Sequence, residues 1–174
     1  VNGLLTKSEQ VIGVKTDHQE YFAKDVVACS GAWSSQWLNL QNKVFPMKGQ
    51  MIVIHVEPGS IEHIVLDQGR YIIPRKDGRV LVGSTMEDVG FNRDVDADTK
   101  QSLFEFASER FPVLGSAKIE HHWSGFRPAS VSGKVVLGPH EQFEHLFINA
   151  GHFRNGLNMA PESANRIKQL IINA

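Results

Sequence analysis

Three observations predict a mixed α+β chain, a largely antiparallel sheet with flanking helices plus remnants of an α/β domain. Short β-type runs separated by Gly, Pro, Asp and Asn fill residues 45–150. Asp25-Val26-Val27-Ala28-Cys29 is an almost uninterrupted apolar run, the pattern of a strand buried on both faces of a parallel sheet. One amphipathic helical stripe then closes the chain.

Composition bounds the class. With 174 residues, 41% hydrophobic and 21% charged, the chain has the make-up of a soluble globular protein. The 18 Lys+Arg against 19 Asp+Glu leave a net charge of −1, which gives no field to attract nucleic acid or an anionic membrane. No apolar run approaches the roughly 18 residues of a membrane span. The single cysteine, Cys29, excludes an internal disulfide and fits a reducing compartment, most simply the cytoplasm. Val1 opens the chain without Met in what reads as the middle of a sheet, so we expect further chain before it.

The elements follow in order. Gln10 to Thr16 and Glu20-Tyr21-Phe22 form a hairpin about Asp17-His18-Gln19. After the apolar run, Ser30-Gly31-Ala32-Trp33-Ser34 either lets another backbone, or a cofactor, approach closely or makes a tight strand-to-helix turn, with Ser34 or Ser35 capping a short helix through Trp37 and Leu40. Gln50 to Val56 is a strand stopped by Glu57-Pro58-Gly59. The hairpin Tyr71-Ile72-Ile73-Pro74-Arg75, Lys76-Asp77-Gly78-Arg79, Val80-Leu81-Val82-Gly83 is the clearest of all. Pro74 cannot donate to a ladder, which predicts an edge or bulged strand there.

Asp96 or Asp98 caps a helix bearing Leu103, Phe104, Ala107 and Phe111, and Pro112 ends it. Lys118 to Arg127 reads as a strand ending at Pro128, with His121, Trp123 and Arg127 on one side and His122, Ser124 and Phe126 on the other. Two more strands, Val135 to Pro139 and Leu146 to Ala150, precede Gly151-His152-Phe153-Arg154-Asn155-Gly156. That glycine-bracketed turn enters the last helix, where Ala160, Ala164, Ile167, Leu170 and Ile171 form the stripe and Pro161 falls in or near the first turn. Backbone N–H groups and the helix dipole make such a turn a place for negative charge.

Other chemistry is poorly supported. The eight histidines include the adjacent pair His121-His122, which points to opposite faces of a strand, and no His-x-x-x-His lies on a predicted helix, so no metal is expected. Cys29 ends a buried strand without a basic neighbour, a poor nucleophile. Neither a Walker loop nor G-x-G-x-x-G is present.

Four stretches in this order, Tyr71 to Arg79, Val82-Gly83-Ser84-Thr85-Met86-Glu87, Gly125-Phe126-Arg127-Pro128 and Gly151 to Gly156, resemble the C-terminal half of FAD-dependent amino acid oxidases of the D-amino-acid oxidase superfamily. Val26 to Ser34 and Lys48-Gly49-Gln50 add to the likeness, which is greatest with the members that oxidise glycine in thiamine biosynthesis. The resemblance implies an FAD-binding part in residues 1–44, a substrate-binding domain in 45–150, and a return to the FAD-binding domain, the flavin loop and helix, in 151–174.

By the same resemblance, His152, Phe153, Arg154, Asn155, Gly156, Leu157 and Asn158 hold a noncovalent FAD whose adenosine half has no site in this chain. Arg127, Tyr71 and Arg154 bind the substrate carboxylate, and no side chain is expected as a catalytic acid or base. The implied reaction is oxidative deamination of glycine or small D- or N-methyl amino acids by hydride transfer to flavin. The parent would be a homo-oligomer needing its N-terminal half, the isolated chain would be inactive, and neither nucleic acid nor membrane would be a partner. Two alternatives are a quinone-linked D-amino-acid dehydrogenase and a flavin-free module binding a small carboxylate at Arg127. The chain departs from the pattern at Asn158, usually aliphatic, and at Ala129-Ser130, usually Gly-Thr.

Overall fold

The computed structural model describes residues 1–40 and 42–173. Two compact units divide the chain, one made of Val1–Met47 with Arg127–Ala174 and the other of Lys48–Phe126. In chain order the elements are β1 (Gly3–Lys7), β2 (Gln10–Lys15), β3 (Glu20–Phe22), β4 (Val26–Ala28), α1 (Ser34–Trp37), β5 (Val44–His55), β6 (Val65–Asp67), β7 (Arg70–Pro74) and β8 (Arg79–Gly83). After these come α2 (Ala97–Arg110), β9 (Lys118–Ser130), β10 (Val136–Pro139), β11 (Leu146–Ala150) and α3 (Gly156–Ile172), with 3-10 turns at Gly31–Trp33 and Pro112–Leu114. The architecture is mixed α+β with mainly antiparallel pairing, as the alternating runs predict.

In the first unit, the sheet β1-β2-β3 contains the predicted β2/β3 hairpin, with Val14 opposite Tyr21. A strand absent from the sequence reading, β1, joins it through a turn at Ser8, whose φ is 55°. The second sheet has the order β10-β11-β4, and β4 runs parallel to β11 with Val27 opposite Phe147. The parallel strand is therefore real, but it is an edge strand: Val27 is 36% exposed and Cys29 is exposed, which corrects the expectation of burial on both faces. Val11, Ala28, Leu38, Leu40, Val44, Leu146, Ile148 and Ala150 form this unit's core.

Ser34 and Ser35 do not cap a helix. A 3-10 turn precedes α1, the Ser34 hydroxyl donates to the Gly31 carbonyl at 2.8 Å, and Ser35 accepts the Val44 amide at 2.7 Å. Helix α3 forms where expected, yet its buried face is Ser163 and Ile167, while Ala160 and Ala164 are exposed. Pro161 lies inside the helix rather than at its first turn, so the Leu157 carbonyl loses its intrahelical donor.

The second unit is built on the sheet order β6-β7-β8-β5-β9. The predicted hairpin is β7/β8, with Ile72 opposite Val82, and the line continues to Ile52 of β5. All three are fully buried in the core that Leu103, Phe106 and Ala107 of α2 complete. Burying each such side chain is worth roughly 1.5–3 kcal/mol, which is what holds α2 on this face. Strand β7 is not an edge, since β6 pairs with it through Val65 opposite Ile72. Pro74 is tolerated because it lies beyond that pairing, where no donor is required of it. Strand β9 passes through Pro128 and ends at Ser130, two residues later than expected. Asp96 is the N-cap of α2, accepting the Thr99 amide at 2.7 Å.

Candidate functional site

The turn between β11 and α3 is shaped by its residues. Gly151 has φ 77°, and a Cβ there would lie 3.2 Å from the Val136 nitrogen and 3.4 Å from the Ser130 Cβ, so glycine is required both for conformation and for space. Phe153 also takes a left-handed φ, 50°, and its amide donates to the Pro128 carbonyl at 2.9 Å. That bond brings the turn to the residue following Arg127. The Asn155 amide closes on the His152 carbonyl at 2.9 Å, and α3 begins.

His152 is anchored rather than exposed: its Nε2 lies 2.9 Å from the hydroxyl of Ser163, a side chain only 3% exposed. Burial pushes the imidazole pKa down and favours the neutral ring. Arg154 is exposed and rests over the Phe153 ring, 5.6 Å from guanidinium carbon to centroid. Arg127 is half-buried on β9.

The start of α3 is left open. Asn155 makes no side-chain cap bond, the first turn holds no acidic residue, and Leu157 is 89% exposed. The first N–H groups of an α-helix, here those of Gly156, Leu157 and Asn158, have no intrahelical acceptor. They carry the positive end of a helix of 17 residues. A planar group that becomes anionic along one edge suits this donor set, and the flavin ring does so when it is reduced, so the residues present fit that group. At the other cofactor-type turn, Gly31 has φ 56° with nothing within 4 Å of an added Cβ. Glycine is demanded there by conformation, not crowding.

Tyr71 belongs to the second unit. It is half-buried on β7, on the face opposite Ile72, and its hydroxyl donates to the Met51 sulfur at 3.5 Å. The Lys48-Gly49-Gln50 stretch forms a polar network. Lys48, 5% exposed, pairs with Glu87 at 3.0 Å, and the fully buried Gln50 amide donates to Glu87 at 3.0 Å and Asp96 at 2.7 Å. Burial would raise the Glu87 pKa, but the bonds from Thr85, Lys48 and Gln50 outweigh it and hold the carboxyl low. Gln50 and the Thr99 amide bring Asp96 down to about 2.

The sequence alone did not single out Ser163, and it gave Met51 and Gly83 no role of their own. Ser163 stands four residues before Ile167 on one helix face, a spacing that marks it for burial; its polarity hid it. Among the described residues, no group of three or more His, Cys, Asp or Glu side chains could hold a metal. Among the described residues, no helix is long and apolar enough to cross a membrane.

Over residues 1–170 the chain belongs to the FAD dependent oxidoreductase (DAO) family. It is 38% identical to the glycine oxidase of Pseudomonas aeruginosa, over 98% of this chain and 48% of that protein. It is 40% identical to the glycine oxidase of Pseudomonas putida, over 100% of this chain and 48% of that protein. The crystal structure of glycine oxidase from Bacillus cereus superposes with a TM-score of 0.91 at 28% identity, covering 98% of this chain and 49% of that one. The chain spans about half the length of the curated relatives it matches.

Proposed function

We propose that the protein to which this chain belongs is a cytoplasmic FAD-dependent oxidase that deaminates glycine or another small D- or N-methyl amino acid. The observation that carries the reading is the 2.9 Å bond from the Phe153 amide to the Pro128 carbonyl. It ties the turn that opens α3 to the residue after Arg127, so a carboxylate-binding arginine and an anion-facing helix start are built as one piece. FAD, when bound, supplies the two-electron acceptor for oxidation at the substrate Cα.

The chain's own residues orient and bind. Arg127 forms two parallel bonds to the substrate carboxylate, a geometry that its planar guanidinium matches and an ammonium does not. Arg154 and Tyr71 are each assigned a carboxylate contact by the family likeness. The turn from His152 to Asn158 wraps the flavin noncovalently, with the N–H groups at the start of α3 stabilising negative charge on the ring. His152, locked to Ser163, keeps that turn rigid. Orientation and electrostatics, rather than a protein acid or base, are the contribution of this chain.

Residues 45–150 then carry the substrate and residues 1–44 and 151–174 the flavin. The adenosine half of the cofactor lies on the remainder of the parent chain, so the isolated 174 residues are inactive. The relatives, about twice as long, support this. So does the uncovered edge of β4: a groove of about 370 Å³ runs beside it, lined by Val27, Cys29, Ala164, Ile167 and Ile171, where more of the parent chain would pack.

The test is Arg127→Lys in the full-length enzyme. Loss of bidentate pairing should raise the KM for glycine about tenfold or more with flavin content unchanged. An unchanged KM would remove Arg127 from the site.

A further inference from the structure

Tyr71, Gly83 and Met51 lie on a single line across β7, β8 and β5: Tyr71 is opposite Gly83, and Gly83 is opposite Met51. Residues opposite one another in antiparallel strands project to the same face. The adjacent line, Ile72, Val82 and Ile52, has no exposed surface and faces the core. The Tyr71 line therefore faces the other way.

Two strand spacings, about 9.6 Å, separate the backbones of Tyr71 and Met51. Their side chains nevertheless meet above the middle strand, with the Tyr71 hydroxyl 3.5 Å from the Met51 sulfur. They can do so because position 83 has no side chain. A Cβ on Gly83 would stand 2.7 Å from the Met51 Cγ, 3.3 Å from its Cε and 3.3 Å from the Tyr71 Cε2. Gly83 is a slot, and the tyrosine ring and the thioether fill it from opposite sides.

The acceptor chosen for the hydroxyl has a chemical consequence. A thioether sulfur is a weak acceptor, so it can orient an O–H without competing strongly for its proton. A carboxylate is a much better acceptor, and hydrogen bonds to ionised groups are roughly twice as strong as neutral ones.

We infer that Gly83 and Met51 are positioning residues that aim the Tyr71 hydroxyl at a small carboxylate: Gly83 opens the slot, and Met51 holds the hydroxyl in place until it donates its hydrogen bond to the carboxylate instead. This rests on Tyr71 being a substrate contact, as proposed above. It assigns to the sheet itself, rather than to a neighbouring side chain of the site, control over how well glycine-sized acids are held.

The experiment uses the full-length, flavin-loaded enzyme. It measures glycine KM and kcat, together with the binding of glycolate, a small carboxylate without an amine, by its shift of the melting temperature. Gly83→Ala should weaken glycolate binding and raise the glycine KM about tenfold, the size expected for one misdirected hydrogen bond, with kcat and flavin content nearly unchanged. Met51→Leu keeps the packing but removes the weak acceptor that orients the hydroxyl, and should raise KM by about twofold. Met51→Gln should do more harm than Met51→Leu, since its amide oxygen retains the hydroxyl proton.

Adding Met51→Ala to Gly83→Ala removes the Cγ that the new methyl group meets, and should recover part of the loss, a coupling that two independent sites would not show. Normal glycolate binding in both Gly83→Ala and Met51→Gln, with weakened binding in Tyr71→Phe, would overturn the slot while leaving Tyr71 in the site. Normal binding in Tyr71→Phe would overturn both. If Gly83→Ala does not fold, the ordering of Met51→Leu and Met51→Gln decides: Gln worse than Leu supports the inference, and equal effects sink it.

Discussion

At the start of α2 the Asp96 carboxylate accepts the Thr99 amide at 2.7 Å and Asp98 adds negative charge in the first turn, whereas α3 starts at Asn155 with no side-chain cap and no acid in its first turn. The C-terminal ends differ too. Arg110 closes α2, donating to the Phe106 carbonyl at 3.0 Å and to Asp67 at 2.8 Å, while the last turn of α3 has no basic residue. A helix whose ends are satisfied internally has its work on its side, and α2 presses Leu103, Phe106 and Ala107 into the core of its unit. A helix whose N-terminus is left open forgoes that stabilisation. In α3 the uncompensated positive end stands beside the strand of Arg127, which is where the proposed flavin would use it.

The largest expected effect breaks the packing side of this contrast. Leu103→Ala removes a fully buried side chain and should cost about 2–5 kcal/mol in denaturant unfolding, with the midpoint shifted at constant slope. Because α2 is assigned no chemistry, the glycine KM of a full-length enzyme that still folds should not change. A changed KM would mean that α2 does more than pack.

Closing the open end sharpens the contrast. Asn155→Asp supplies α3 with the carboxylate cap that α2 already has, and should stabilise the chain by about 0.3–1 kcal/mol. In the full-length enzyme the same change places negative charge where the flavin's negative edge is proposed to sit, so flavin should be retained less well. A variant that is more stable and keeps its flavin would show that the open helix start is not used for cofactor binding.

Acid titration gives the smallest effects and separates the two ends by pH. Asp96 is held at about 2, below the ordinary value, so its contribution is present above about pH 3.9 and is lost as the pH falls toward 2. His152 is pushed down by burial, so its neutral ring favours the fold above about pH 6.5, and that contribution fades as the pH falls below it. His122 and His140 are shifted in the same direction by burial, so the loss below that pH is shared. Comparing variants isolates each part. His152→Asn should flatten the stability curve just below pH 6.5 and Asp96→Asn should flatten it between about pH 4 and 2, measured by thermal melts across the range.

Much of this was legible in the sequence where the causes are local. The β7/β8 hairpin follows from alternation around Lys76-Asp77-Gly78-Arg79, and the Asp96 cap follows from an acid standing just before a helical stripe. The turn from Gly151 to Gly156 was legible because glycine at a strand-to-helix junction reports its own conformation. Other features depend on partners far along the chain. The run Val26 to Cys29 has the composition of an interior strand, and only the sheet order reveals that within this chain it stands at an edge, where the proposed remainder of the parent would pack. Pro74 signals an edge by its missing donor, yet β6 covers β7 and stops short of it. Ser163 reads as a surface residue until His152, eleven positions away, is seen bonded to it.

By itself the sequence determined the α+β class, the strong hairpin, both longer helices and the family likeness, because periodicity, turn chemistry and capping are written within a few residues of one another. Only the tertiary structure decided that α3 buries Ser163 and leaves Leu157 in solvent, that Phe153 bonds to the residue after Arg127, and that Gly83 is the slot in which Tyr71 and Met51 meet. Those outcomes are set by register and close approach between distant segments, which no local pattern encodes.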